Sequence, residues 1–260
     1  MTITTPRVAP VRPRTAPAAP AASVVLAAHG SRDPRSAATM VRLADRVAEH
    51  WPAPVTAAFL DFDAPSIPDA LSVLRPTMDG GAPDPVVVPA LLTRAYHGRV
   101  DLPAVLTGTG MVTRLAPVIG PSAPGEAPHP RLVAALRRRV SELDIPYDGL
   151  VLLAAGTSHP DARSTVDAVA AALSAELDVA CVVGYASASP PTGAAAVRAV
   201  RALGASRILA ASYFLAPGRL YEAAAASARD GGALGVAEPL GAAEDLVQLI
   251  VARITEMNAG

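Results

Sequence analysis

The chain has 260 residues, a formal net charge of −1 and 51% hydrophobic residues, but only three Phe, five Tyr and one Trp. That length holds one large domain or two of roughly 100–130 residues. The near-zero charge excludes a global pull toward nucleic acid or a membrane surface, and no apolar run approaches the ~20 residues needed to span a bilayer. A single cysteine, Cys181, excludes an internal disulfide and a cysteine metal cluster and suits the cytoplasm. All 22 basic residues are Arg, which excludes a Schiff-base or phosphate-loop lysine and leaves carboxylate recognition to the two-pronged guanidinium.

Residues 1–22 are rich in Pro, Ala and Thr without periodicity, and read as a disordered tail lacking the apolar segment of a signal peptide. The apolar run Val24–Ala28 stops at His29-Gly30-Ser31, and helical spacing begins over Ala37–His50. A short apolar run feeding a helix reads as a buried parallel strand and its crossover. Val55–Leu60 is a second strand closed by Asp61. Pro65 opens a helix through about Leu74, ended by Gly80-Gly81. Pro85–Leu92 is a third strand, running into Thr93-Arg94-Ala95-Tyr96-His97-Gly98-Arg99. Val100–Leu106 is a short helix and Val112–Val118 a fourth strand. Gly120–Pro130 is rich in Pro and Gly and reads as a linker, with His129 as a solvated linker residue. Arg131–Leu143 is a helix. The plan then repeats: strand Gly149–Ala155, helix Asp161–Leu177, strand Asp178–Ala186, a helix from about Gly193 to Leu203, strand Arg207–Phe214, a helix to Arg229, a strand near Val236 and a last helix Glu244–Thr255. Cys181, in an apolar run, reads as inert core.

The pattern predicts an α/β protein of two tandem flavodoxin-like lobes facing across a cleft, 23–119 and 131–260. Each lobe is a parallel four-stranded sheet flanked by helices. Leu26-Ala27-Ala28-His29-Gly30-Ser31 aligns with Leu153-Ala154-Ala155-Gly156-Thr157-Ser158, and Tyr96–Val100 with Ala216–Leu220. The scaffold recurs but the imidazoles do not: Gly156 stands against His29 and Pro217 against His97. One asymmetric site, built by the first lobe and covered by the second, explains that difference.

His29, Asp61 and His97 each follow an apolar strand, and parallel strands place such ends on one edge, where α/β sheets bind ligands. Two imidazoles and a carboxylate suit a borderline divalent metal. Three ligands leave positions open, unlike a closed structural zinc. Asp61 has a second reading as a turn residue before Pro65. Arg32, Arg35, Arg94, Arg99 and Arg219 fall on the same edge loops, where each reads equally as a surface residue. Ser31, Thr157, Ser158 and His159 are hydrogen-bonding candidates, with Ser158 also read as the cap of the next helix. No GxGxxG or GxxxxGK[ST] follows a strand, and no G-x-S-x-G elbow surrounds Ser31, which argues against a nucleotide binder and a serine hydrolase.

The segments AAHGSRDPRS, AFLD followed by PSIPDAL, and ALLTRAYHGRVDLP resemble the class II sirohydrochlorin chelatases of the CbiX/SirB type, with His97 leading into the Asp101-Leu102-Pro103 part of their later motif. The resemblance is strongest over Val24–Pro103. It implies a lyase that inserts Fe2+ or Co2+ (Ni2+ or Zn2+ in vitro) into sirohydrochlorin or a related tetrapyrrole, without ATP or an organic cofactor, for sirohaem or cobalamin. It implies that His29 and His97 bind the metal. A glutamate often stands in that family where this chain has Asp61, so direct and water-mediated roles for Asp61 both stay open. Sirohydrochlorin is rich in carboxylates, which assigns Ser31, Arg32, Arg94, Tyr96, Arg99, Thr157, Ser158, His159 and Arg219 to the ring. His29 or Asp61 is the expected acceptor of the pyrrole protons. The histidines ligate only when neutral, so activity is expected to fall below pH ~6.5. Long members of the family fuse two lobes, which implies a monomer acting as an internal pseudo-dimer, with no nucleic-acid or membrane partner. Iron against cobalt stays open, as does a non-catalytic metal or tetrapyrrole carrier on the same fold.

Overall fold

The computed structural model describes residues 21–79, 81–93, 101–187 and 189–259. The elements run β1 (Val24–Ala28), α1 (Pro34–Ala48), β2 (Val55–Phe59), α2 (Ile67–Asp79), β3 (Val86–Pro89), α3 (Leu102–Gly108), β4 (Arg114–Leu115) and α4 (Pro130–Ser141). They continue with β5 (Gly149–Ala154), α5 (Pro160–Leu177), β6 (Ala180–Tyr185), α6 (Gly193–Ala202), β7 (Ile208–Tyr213), α7 (Arg219–Asp230), β8 (Gly235–Val236) and α8 (Glu244–Ala259). Three helices begin on a proline, Pro34, Pro130 and Pro160, because the first helical turn has no use for the missing N–H. Two of these start one residue before the sequence-based boundary, and α1 starts three before it. The α2 helix runs on to Asp79, past the expected end near Leu74. The fourth strand shrinks to Arg114–Leu115.

Two fully parallel sheets form, ordered β2-β1-β3-β4 and β6-β5-β7-β8. Their central strands are apolar throughout because both faces are covered. In β1, Val25 and Ala27 face a cluster with Ile67, Leu71 and Leu102, whereas Val24, Leu26 and Ala28 face the interior of the molecule. The chain leaves β1 for β2 on one side and comes back to β3 on the other, so the end of β1 is a topological switch point. Ligands of open α/β sheets sit at such points.

The last helix crosses from the second lobe to the first. On the inner face, α8 packs against α1 and β3 of the first sheet, while α4 packs against α5 and β7 of the second. These two helices meet each other, and Arg138 of α4 holds Asp245 of α8 at 2.7 Å. Further ties run from the end of the chain to the first lobe: Arg46 to Glu244 at 2.9 Å, and Arg114 Nη1 to the Met257 carbonyl at 2.5 Å. The central hydrophobic cluster therefore runs from Val24 and Leu26 through Leu132, Leu136 and Ile250 to Leu150 and Leu152.

Residues 120–129 contain no helix or strand. His129 is not a free linker side chain: it is the N-cap of α4, its Nδ1 accepting the Arg131 N–H at 3.1 Å. Burial, then the nearby Arg253 and Arg131, hold its pKa below the usual imidazole value. Ala22, assigned by sequence to the tail, is fully buried, and its carbonyl accepts the Trp51 indole N–H at 2.8 Å. The rest of the tail lies outside the described residues. Among the described residues no helix is long and apolar enough to cross a membrane.

Candidate functional site

The sheet delivers His29 one residue beyond β1. Pairing with the β2 strand continues past both strand ends, Leu60 N–H donating to Ala28 O and Asp61 N–H to His29 O, each at 2.9 Å. Gly30 then turns at φ +92°, and a Cβ there would overlap the Asp61 carbonyl. Only glycine fits both demands. Ser31 N–H donates to Asp63 Oδ2 at 2.8 Å, and Ser31 Oγ accepts the Asp33 N–H at 3.1 Å. Asp33 caps α1 through the Arg35 N–H, and its hydrogen bond from the Arg35 side chain holds its carboxyl below the usual carboxylate range. Asp61 Oδ1 accepts the Phe62 N–H at 2.8 Å, with Phe62 itself at φ +64°.

His29, Leu60, Asp61, Asp101, Ala104 and Val105 line a cavity of about 420 Å³ between the end of the first sheet and the start of α3. His29 and Asp61 thus meet at one opening, as the strand-end argument requires. Asp101, which the sequence supplied only as part of a motif, joins them from the N-cap of α3. Phe62 lies edge-to-face with the His29 imidazole at 6.1 Å between centroids, with Arg32 Cζ 5.3 Å from its ring centroid. His97, Arg94, Tyr96 and Arg99 lie outside the described residues. Among the described residues no three His, Cys, Asp or Glu side chains form a metal-binding group. A larger cavity, about 740 Å³, sits away from this opening, on α5 and β6, lined by Ala170, Ala171, Cys181 and Val183 among others. Burial pushes the Cys181 thiol up to about 12, which keeps it protonated and unreactive.

The second lobe repeats the backbone and corrects the alignment of the two halves. Gly156 turns at φ +95°, and a Cβ there would overlap the Ser187 carbonyl. Ala186 N–H donates to Ala154 O at 2.9 Å and Ser187 N–H to Ala155 O at 3.1 Å. Gly156 is therefore the counterpart of Gly30, and Ala155, not Gly156, stands where the first lobe has His29. Ser187 and Ser189 occupy the places of Asp61 and Asp63. The sequence alignment slipped by one residue because Leu-Ala-Ala fits either register, and only the left-handed glycine decides. Ser158 does not cap α5: the N-cap position is His159, whose N–H goes to Thr157 Oγ1 at 3.2 Å. Ser158 and His159 are exposed.

The lobes meet beside this opening. A Cβ on Gly218 would lie 3.8 Å from Ser31 Oγ, so exposed Arg219, the first residue of α7, starts its helix against the His29 loop. Arg35 Nη2 reaches both Asp33 at 2.7 Å and Glu222 of α7 at 2.9 Å. Tyr213 OH donates to Leu92 O at 2.7 Å, joining the ends of β7 and β3.

The CbiX family profile matches residues 23–143 and 149–257. The chain belongs to the CbiX family. The two matches of this CbiX chain correspond to its two sheets, with α4 inside the first match although it packs on the second sheet. A sirohydrochlorin cobaltochelatase of Methanocaldococcus jannaschii is 34% identical over 85 residues, which is 32% of the CbiX chain and 57% of the relative. The match thus spans less than three fifths of that protein. Among solved structures, SirB from Bacillus subtilis with Fe3+ superposes with a TM-score of 0.75 at 20% identity, covering 92% of the CbiX chain and 96% of SirB. SirB from Bacillus subtilis subspecies spizizenii in complex with cobalt superposes at 0.72 and 18% identity, with the same two coverages. Both share the two-lobe fold.

Proposed function

We propose that this chain is a sirohydrochlorin chelatase, inserting Fe2+ or Co2+ into sirohydrochlorin or a related tetrapyrrole. The observation that carries the reading is His29 at the switch point of the first sheet, opening with Asp61 and Asp101 onto one cavity, while the matching position of the second sheet is Ala155. Family membership and the names of the relatives support the same activity.

In this reading His29 and His97 present the metal to one face of the macrocycle. The ring lies at the opening in front of His29, with the Ser31 loop and the start of α7 on its border, and Arg32, Arg94, Arg99 and Arg219 take its carboxylates, with Tyr96, Ser31, Thr157, Ser158 and His159 as further partners. Each divalent metal that enters displaces two pyrrole N–H protons; in this reading Asp61 Oδ2, which is not used by the Phe62 N–H, accepts one and solvent water takes the other. The metal is a substrate here, handed on rather than kept. The paired lobes support a monomer, and the lone partly buried cysteine supports a cytoplasmic setting.

Anaerobic metallation of sirohydrochlorin, followed by absorbance with Co2+ and Fe2+ in parallel, tests the reading. The wild type is expected to accelerate insertion, and His29→Ala and His97→Ala to fall to the spontaneous rate. A wild-type rate equal to the spontaneous one would overturn catalysis and leave a carrier.

A further inference from the structure

Phe62 is a misfit in the fold. Its side chain is 52% exposed, it belongs to none of the hydrophobic clusters, and its backbone is left-handed at φ +64°. Bulky residues avoid that conformation, and where they hold it the surrounding structure has imposed it, typically at a functional site. Here the imposing group is Asp61, whose Oδ1 takes the Phe62 N–H. The result is an aromatic ring next to the cavity-lining His29, edge-to-face with its imidazole and carrying the Arg32 guanidinium over it. Among the described residues no other ring or cation lies against it.

The two lobes supply a control. Ser187 and Ser189 take the places of Asp61 and Asp63, so the sequence puts Ala188 where the first lobe has Phe62. Ser158 likewise corresponds to Arg32, and Ala155 to His29. Imidazole, aromatic ring and guanidinium are lost together in the lobe without the site, while the left-handed glycine that the backbone needs is kept. A residue serving the turn alone would follow the glycine; Phe62 follows the histidine.

The orientation is also informative. A flat macrocycle receiving a metal held in the plane of an imidazole lies perpendicular to that plane. The Phe62 ring stands at 76° to the His29 imidazole, an orientation that lets it lie flat against such a macrocycle. We propose that Phe62 is the stacking platform for the tetrapyrrole, with one pyrrole lying on the face of the phenyl ring that Arg32 does not cover and Arg32 as a carboxylate partner. This rests on the chelatase reading above.

The test is a metal-free fluorescence titration of sirohydrochlorin into wild type, Phe62→Tyr, Phe62→Ala and Phe62→Gly, with the thermal midpoint of each variant. Phe62→Tyr is expected to bind like wild type. Phe62→Ala and Phe62→Gly are expected to bind about tenfold more weakly, which corresponds to about 1.4 kcal/mol. Phe62→Gly is expected to melt at or above the wild-type temperature, since glycine adopts φ +64° without strain. Equal binding by all four proteins would overturn the platform and leave the chelatase reading standing. Weaker binding by Phe62→Gly together with a lower midpoint would reassign Phe62 to holding the loop and also overturn it. A wild type that binds no sirohydrochlorin would remove the chelatase reading, and the platform with it.

Discussion

At the end of β1 the backbone turns through Gly30 at φ +92°, and at the end of β5 through Gly156 at φ +95°. Each glycine presses on a carbonyl of the neighbouring strand-end loop, Asp61 in one lobe and Ser187 in the other. Around these matched turns the side chains diverge: His29, Arg32, Asp61 and Asp63 in the first lobe against Ala155, Ser158, Ser187 and Ser189 in the second. The sheets diverge too. The second pairs over six residues on both sides of β5, whereas β1 pairs over five with β2 and four with β3. Since Ala28 and Ala154 are counterparts, the first lobe's ladder on the β2 side starts one pair later and ends at the same place, and only on the β3 side does it also stop one pair sooner, at Ala27. The shared turn is thus a steric requirement of closing the sheet, and the imidazole, guanidinium and carboxylates around it belong to one copy only.

Four experiments sharpen or break this comparison. The largest effect on stability is expected where the lobes are least separable. Leu136 of α4 is fully buried in the cluster that joins the two sheets, and Leu136→Ala should cost about 2–5 kcal/mol. Urea unfolding followed by circular dichroism should remain one transition, because the crossing of α8 couples the lobes; two resolved transitions would show that each lobe stands alone.

Gly30→Ala and Gly156→Ala come next. Each places a Cβ against a backbone carbonyl at a left-handed φ, so each should lose more than about 1 kcal/mol. Metallation rate per folded molecule should drop further for Gly30→Ala, which moves the His29 loop. Equal drops for the two variants would contradict a site confined to the first lobe.

Breaking the bridge from Arg35 to Glu222 is a smaller perturbation, since both side chains are largely in solvent. Glu222→Gln should lower the urea midpoint slightly at low salt and not at all at high salt, where exposed charges are screened. A salt-independent loss would mean that Glu222 acts through packing.

The last effect is a pH dependence from His129. Burial and two neighbouring arginines lower its pKa in the folded chain, so as pH falls below ~6.5 the unfolded chain takes a proton that the folded chain resists, and stability drops until the folded pKa is reached. Protonation also removes the Nδ1 acceptor that caps α4. Urea midpoints at pH 7.5 and 5.5 should differ less in His129→Asn than in wild type.

Much of the site was legible because it sits where a local pattern stops. The run Val24–Ala28 could only be a buried strand, and His29 therefore had to emerge at a strand end. Asp61 followed in the same way from Val55–Phe59. Phe62 and Asp63 are only weakly marked: a Phe after an Asp looks like any apolar residue until its φ and its neighbours are known. The pair of alternating acids in Asp61-Phe62-Asp63 was the available signal, one for the Phe62 N–H and one for the Ser31 N–H. Ser158 failed as a cap because Ser next to a helix start is common, and the position that matters was displaced by one residue, to His159.

The sequence by itself determined the order and type of the sixteen elements among the described residues, the repeat of the plan, the residues brought to the strand ends and the family. The first three follow from hydrophobic periodicity and from the placement of Gly and Pro, which act over a few residues; the family follows from the resemblance of the segments around His29, Asp61 and His97. The tertiary structure alone decided that α8 closes the first lobe and α4 the second, that Ala155 is the counterpart of His29, and that Phe62 stands left-handed beside the imidazole. Each of these depends on contacts between residues far apart in the chain, where packing and backbone overlap choose among arrangements that the local pattern leaves equal.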